Sequence, residues 1–259
     1  VPDDVRITTR YDTADWAGSL MGVIHETGHA LYERGLPVAW RGQPVGKPWG
    51  MAVHESQSLL MEMQVSRSRA FFDHAAPLIQ RAFNVDGHQW TPEPLYHSVT
   101  RVSRSLIRVE ADEVTYPFHV IIRYRLERAM LSGDLAVADL PEAWNESMQA
   151  NLGVRPPDDR LGCLQDIHWY DGAFGYFPTY TMGALGAAQL FAAAAKDVKG
   201  LNAQIAAGDF APLLAWLGEK VHRWGSYHDT DALMEQATGA PLGEQAFLAH
   251  IRDRYLSQA

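Results

Sequence analysis

The sequence predicts a mostly α-helical globular protein. Apolar residues recur at three- and four-residue spacing along most of the chain, and only two short stretches, RITTRY and RVSRSLIRV, alternate as a strand does. With 47% hydrophobic and 20% charged residues, the composition is that of a chain that builds a core. The 259 residues show no internal repeat, low-complexity tract or clear linker, so residues 1–259 are expected to form a single helical domain.

The elements follow in order. Asp12 is the expected N-cap, with Asp15 three residues later, of a helix over 14–34 that Gly35 and Pro37 stop. Residues 35–50, GLPVAWRGQPVGKPWG, hold four glycines and three prolines and must form a loop. The helical pattern resumes in AVHESQSLLMEMQVSRSRAFF, pauses at Pro77 and again around DGHQWTPEP. It returns from about Leu95 to Ser132, where Pro117 is expected to kink or break it. The irregular stretch NLGVRPPDDRLGCLQDIHWYDGAFGYFP leads into TMGALGAAQLFAAAAK, whose small residues suit a closely packed helix. Further helices are expected at 201–207, 211–225, 229–237 and 243–256.

Charge and cysteine usage exclude several functions. With 22 basic against 31 acidic residues, a net charge of −9 and no Lys/Arg cluster, an electrostatic hold on nucleic acid is not expected. No apolar run approaches the ~18 residues that cross a bilayer. The first residues, VPDDVRITTRYD, lack the basic and then apolar pattern of a signal peptide, so a soluble, cytoplasmic protein without a membrane partner is expected. Cys163 stands alone, which rules out an intramolecular disulfide and a multi-cysteine zinc site and fits a reducing compartment.

The chemistry concentrates in VIHETGHALYERG. On a helix, positions i and i+4 lie one turn apart on one face, so His25 and His29 can direct two imidazoles at a single ion. Glu26 sits on the adjacent face, within reach of a water in an open fourth position. A bare HExxH also arises by chance on surface helices, so a third ligand decides. HESQS offers one after the Gly/Pro loop: Glu55, 26 residues past His29, could face the histidines across an antiparallel helix pair. His54 is its rival, because one residue along a helix turns a side chain by about 100° and only one of the two can point squarely at the metal.

Five blocks stand in order: DVRIT from Asp4, HETGH from His25, HESQS from His54, IRVEAD from Ile107 and GCLQDIHW from Gly162. Together they resemble the carboxypeptidase Taq family of zinc metallocarboxypeptidases. The resemblance implies a helical, neurolysin-like fold with a deep groove, and removal of single residues from peptides with a free C-terminus. It makes His25, His29 and Glu55 the ligands of Zn2+, a donor set that also accepts Co2+ or Mn2+. Glu26 becomes the general base and acid, and His168 with Tyr180 or Tyr176 the donors to the oxyanion. Arg108 is the expected anchor for the substrate carboxylate, with Gln165 beside it and Arg6 and Arg160 the next arginines to consider. Asp4, Arg6, His54, Asp112 and Asp166 are expected to orient ligands or brace the loop.

Members of the family are usually about double this length, with a helical region before the DVRIT block. The chain is therefore expected to be the C-terminal catalytic half or a short form, and to work as a homodimer or with the missing N-terminal half. Two other readings are an oligoendopeptidase and a non-catalytic metal- or peptide-binding remnant. The intact Glu26 argues against a remnant, and the lack of a GxMEN-type motif argues against an aminopeptidase.

Overall fold

The structure, a computed structural model, describes residues 4–9 and 11–257. Among the described residues it holds α-helices and short 3-10 turns, with no strand beyond an isolated bridge between Asp12 and Asp15. The RITTRY stretch is irregular on either side of Arg10, which itself lies outside the described residues, and RVSRSLIRV is irregular up to a 3-10 turn at Arg108–Glu110. Alternation alone makes no strand where no second strand pairs with it. No helix of the described residues is long and apolar enough to cross a membrane. Contacts divide the chain into two compact units, residues 1–99 with 182–259 and residues 100–181.

The first unit opens with α1 (Trp16–Gly35). Its N-cap is Asp15, which accepts from the Gly18 N–H at 2.9 Å, and not Asp12, whose carboxylate takes the Ala14 N–H at 2.8 Å one turn earlier. Leu36 is extended and Pro37 follows, so the helix stops where expected. The 36–50 loop contains two 3-10 turns and leads into α2 (Met51–Leu59), which continues as a π-helical stretch over Leu60–Ser66. α3 (Arg69–Phe83) then starts from a Ser68 cap. Pro77 lies inside α3 and does not interrupt it, contrary to the sequence expectation. Pro77 and Asp73, whose carbonyl the proline leaves without its α-helical donor, are both exposed, so the missing hydrogen bond lies on the solvent side of the helix and not in the core. Phe71, Phe72, Ala75, Ala76 and Ile79 bury the opposite face and hold the helix in place.

α4 (Pro92–Val99) closes the N-terminal part of this unit. Its C-terminal part contains most of α7 (Pro178–Asp197), then α8 (Leu201–Ala206), α9 (Ala211–Lys220), α10 (Thr230–Thr238) and α11 (Gln245–Leu256). The helix expected over 211–225 ends at Lys220 and yields to a 3-10 turn, His222–Trp224. Tyr32, Leu60, Phe72, Leu190, Ile205, Leu213 and Leu233 form the centre of one core.

One crossing in this unit positions the chemistry. A Cβ at Gly28 would stand 2.6 Å from the Ser58 Cα and closer still to the Gln57 carbonyl oxygen, so α1 meets the backbone of α2 with no room for a side chain. Gly28 lies between the two histidines of HETGH, and Ser58 lies three residues beyond Glu55.

The second unit is built on α5 (Tyr116–Ser132) and α6 (Leu140–Leu152), followed by an irregular stretch up to the first turn of α7. The expected helix from Leu95 to Ser132 is broken. α4 ends at Val99 and α5 begins at Tyr116, with Pro117 in its first turn, where a proline sacrifices no hydrogen bond. Asp112 starts α5 by accepting the N–H groups of Val114 and Thr115, both at 2.9 Å. α6 has no counterpart among the predicted elements. It buries Leu140, Trp144, Met148 and Leu152 against Ile122 and Leu126 of α5, with Cys163 in the same core.

The crossing at Gly28 is testable. Gly28→Ala must push α1 and α2 apart, so we expect a loss of roughly 1–3 kcal/mol of stability in urea unfolding and weaker retention of divalent metal after dialysis. An unchanged unfolding midpoint would show that the helices have room for the methyl group.

Candidate functional site

In the first unit, α1 presents His25 and His29 toward Glu55 of α2. The three side chains offer ligand atoms that all lie within 4.8 Å of one another. His25 Nε2 is 3.9 Å and His29 Nε2 is 3.4 Å from the same Glu55 Oε2. Glu55 is only 7% exposed, and part of its cover is α7: a Cβ at Gly183 would stand 2.6 Å from the Glu55 Cγ. Two imidazole nitrogens and one carboxylate oxygen converging from two helices fit a divalent cation of the zinc class. Glu26 is half-buried beside them and forms no hydrogen bond or ion pair with another described residue.

His54 does not join that convergence. Its Nδ1 lies 2.6 Å from His29 Nδ1, behind the ring, and its Nε2 is 3.0 Å from Glu33 Oε1. His25 is backed in a similar way, with its Nδ1 2.9 Å from Glu62 Oε2. The other Glu62 oxygen accepts from Arg67 Nη2 at 2.8 Å, and Arg67 also donates to the Val99 carbonyl at 2.7 Å. Burial pushes the Glu62 carboxyl up, but the His25 hydrogen bond and the Arg67 charge outweigh it and hold Glu62 below the usual carboxylate range. Sequence reading misses Glu33, Glu62 and Arg67. Spacing offered a signal for Glu33, which stands four residues after His29 on α1. Asp4 and Arg6 are exposed and form an ion pair with each other at 2.6 Å.

The second unit contains the remaining sequence-predicted residues. Arg108 is 5% exposed. Its Nε and Nη2 donate to Asp166 Oδ1 at 3.1 and 2.8 Å, and its Nη1 donates to the Tyr116 hydroxyl at 2.6 Å. Arg123 donates from Nε to the other Asp166 oxygen at 2.6 Å and from Nη2 to Gln165 Oε1 at 2.8 Å. Gln165 also accepts the Arg108 N–H and donates to the Leu106 carbonyl, so it ties the stretch around Asp166 to the Leu106–Arg108 backbone. Burial pushes Asp166 up, but the Arg108 hydrogen bond and the two arginine charges outweigh it and hold the carboxyl below its ordinary range. Asp112 holds the turn before α5 and also accepts the Ser103 N–H at 2.9 Å.

His168 Nε2 is 2.8 Å from the Tyr180 hydroxyl, and the Tyr176 ring lies 5.4 Å from both the His168 and Tyr180 rings. Burial, with the Arg108 charge next, pushes His168 below its ordinary pKa, so the imidazole is neutral at neutral pH. Glu127, which sequence reading also misses, is buried and accepts from Trp169 Nε1 at 2.7 Å and the Gly175 N–H at 2.6 Å. That carboxylate holds the glycine-containing turn between His168 and Tyr180.

Comparison with known proteins converges on one family. The family model for the carboxypeptidase Taq (M32) metallopeptidases matches residues 1–255. The chain is 44% identical over 254 residues to thermostable carboxypeptidase 1 of Thermus thermophilus, covering 98% of this chain and 50% of that protein. It is 40% identical over 253 residues to thermostable carboxypeptidase 1 of Pyrococcus furiosus, again covering 98% and 50%. Among solved structures, metallocarboxypeptidase 1 of Trypanosoma cruzi is 42% identical with a TM-score of 0.95, over 98% of this chain and 53% of that one. The M32 carboxypeptidase of Deinococcus radiodurans R1 is 45% identical with a TM-score of 0.94, over 98% and 51%. The chain thus spans about half the length of the curated relatives it matches.

The buried charges of the second unit give a stability prediction. Asp166→Asn leaves two buried arginines without their shared anion, so a loss of roughly 3–5 kcal/mol is expected at pH 7. Because the folded-state pKa of Asp166 lies below its unfolded value, its contribution is complete above roughly pH 4 and disappears as pH falls through the folded value. Denaturant midpoints of wild type and Asp166→Asn should therefore differ at pH 7 and converge in acid. A constant gap across that range would assign the effect to packing.

Proposed function

The chain belongs to the carboxypeptidase Taq (M32) metallopeptidase family, and from that premise we propose that it carries the catalytic machinery of a metal-dependent carboxypeptidase that releases single residues from peptides with a free C-terminus. The observation that supports this most is the convergence of His25, His29 and Glu55 beside an uncommitted Glu26. Zinc is the proposed ion. When bound, it supplies a Lewis acid for the scissile carbonyl and lowers the pKa of water.

The chain's own residues do the rest of the work. Glu26 takes the proton from the attacking water and returns it to the departing amine, since a carboxylate without a competing partner is ready to accept. We assign His168 and Tyr180, with Tyr176 packed on both, to the carbonyl oxygen as negative charge develops on it. Their mutual hydrogen bond holds the two side chains together, and because one of the pair accepts in it, one proton of the pair stays free to donate to the oxygen; a neutral imidazole or a phenol donates without releasing a full charge. Arg108 is assigned to the terminal carboxylate of the substrate. Of its five N–H donors, three are committed to Asp166 and Tyr116, which leaves one proton on each of Nη1 and Nη2 for a second anion.

Two substitutions separate binding from chemistry. Glu26→Gln should keep the metal while turnover falls by roughly 100-fold or more, whereas Glu55→Gln should lose the metal itself. Equal metal content in Glu55→Gln and wild type would remove Glu55 from the site, and an active Glu26→Gln would move the base elsewhere.

Arg108 is tested by selectivity. Wild type should cleave a blocked dipeptide with a free C-terminus far faster than its amide, and Arg108→Ala should lower kcat/KM on the free acid by the equivalent of roughly 2–5 kcal/mol, erasing most of that preference. Loss of activity on both substrates with selectivity intact would make Arg108 a structural group.

A further inference from the structure

We infer that His119 is an acid-sensitive latch of the second unit: the Arg108–Asp166–Arg123 cluster stays closed beside it only while its imidazole is uncharged, and a proton on that ring opens the cluster that holds Arg108. The latch is a property of the fold, and it stands whether or not the chain cleaves peptides.

The argument starts from burial. His119 lies on α5 one turn before Arg123 and is 0% exposed, and neither its Nδ1 nor its Nε2 has a hydrogen-bond partner among the described residues. A neutral ring in that place leaves one N–H and one lone pair unmet. An imidazolium leaves two N–H donors and a full charge, which is far more costly. The groups around it have no acceptor to spare. Arg123 on α5 and Arg108 on the 3-10 turn at Arg108–Glu110 are both positive, and the Tyr116 hydroxyl already accepts from Arg108. Asp166 has Oδ1 taken by Arg108 and Oδ2 by Arg123. Asp112 gives Oδ1 to the Val114 and Thr115 N–H groups, and Oδ2 to the Ser103 N–H and the Thr115 hydroxyl. From α6 the buried residues are Leu140, Trp144, Met148 and Leu152, none of them titratable. A charged His119 therefore gains an acceptor only by breaking one of these contacts or by leaving the core.

Either movement reaches Arg108. Arg123 Nη1 donates to the His119 carbonyl at 2.9 Å, so a displaced His119 turn pulls on Arg123 and, through Asp166, on Arg108. Burial first, then the Arg123 and Arg108 charges, push His119 down to about 4, against about 6.5 in the unfolded chain. Because the folded value is the lower one, the stability that the neutral ring contributes is complete above about pH 6.5 and is lost as pH falls from there toward 4. Asp166 acts in a lower window, below roughly pH 4, so the two groups are separable.

The test uses the full chain and His119→Leu, which keeps an apolar side chain of similar size and has no proton to gain. Amide hydrogen exchange is read at pH 7 and pH 5 and corrected for the intrinsic rates. The opening constant of the α5 amides around His119 should rise roughly 20-fold more in wild type than in His119→Leu, the ratio set by a pKa that moves from about 4 to about 6.5 on opening. Urea unfolding at the same two pH values should show the same excess for the second unit. The other histidines cancel in this ratio, because both chains carry them. Equal changes in the two chains would overturn the inference. Where His119→Leu does not fold, wild type decides alone: carbon–proton spectra should show the His119 ring neutral from pH 8 down to pH 5, and a midpoint at about 6.5 would place the ring in an environment that accepts its charge and remove the latch.

Discussion

Everything chemical in the first unit depends on how closely α1 passes α2 at Gly28. The proposed ligands come from two helices, and a cation needs their atoms within a few ångströms. Helix axes packed through ordinary side chains lie roughly 8–10 Å apart, and a glycine at the crossing brings the backbones nearer than that. Only then does the Glu55 carboxylate, projecting from α2, reach the space between two imidazoles projecting from α1. Gly183 repeats the device from α7, where the missing side chain lets a third helix close over Glu55 and shield it from water. A shielded carboxylate is a stronger ligand, because water no longer competes for its oxygens.

The π-helical stretch that follows α2 fits the same need. Glu62 stands on it and points its carboxylate back at His25. π turns are rare and concentrate at functional sites, since the wider turn re-aims side chains that regular α geometry would send elsewhere. In the second unit the corresponding fixed point is Asp166, whose two oxygens hold Arg108 and Arg123 from different elements. Arg123 also donates from its guanidinium to Gln165, and Arg108 does so from its backbone N–H, so the irregular stretch is held largely by charge-assisted hydrogen bonds to Asp166 and Gln165 where it has no regular backbone ladder.

Much of this was legible in the sequence, for reasons that differ by element. HETGH is readable because helix geometry turns a four-residue spacing into a shared face, and the 35–50 loop because glycine and proline act locally. Glu55 is singled out over His54 by the family motif, and in the structure Glu55 converges with His25 and His29 while His54 lies behind His29. Pro77 misled because a local rule lost to context. Its helix is held by five buried apolar residues, and the carbonyl it leaves unbonded faces water. Glu62 and Glu127 were invisible for the opposite reason. Their partners lie 37 residues away for Glu62 and 42 and 48 away for Glu127, and no periodicity links them.

The carboxylates that sequence reading missed share a character that explains why it missed them. Glu33, Glu62 and Glu127 are carboxylates whose purpose is to fix another polar group, and each does so across a tertiary contact. A ligand histidine can be recognised by its own motif, because the metal imposes the spacing. A residue that merely holds the histidine's far nitrogen is bound by no spacing rule, since an acceptor from any element in reach serves equally well. His25 and His29 differ in this respect: one is backed by a carboxylate from the π stretch after α2, the other by an imidazole on α2 that borrows its carboxylate from α1. The proposed ligands can therefore be read from the chain order, while the groups that hold their far nitrogens become legible only once the fold has brought the helices together.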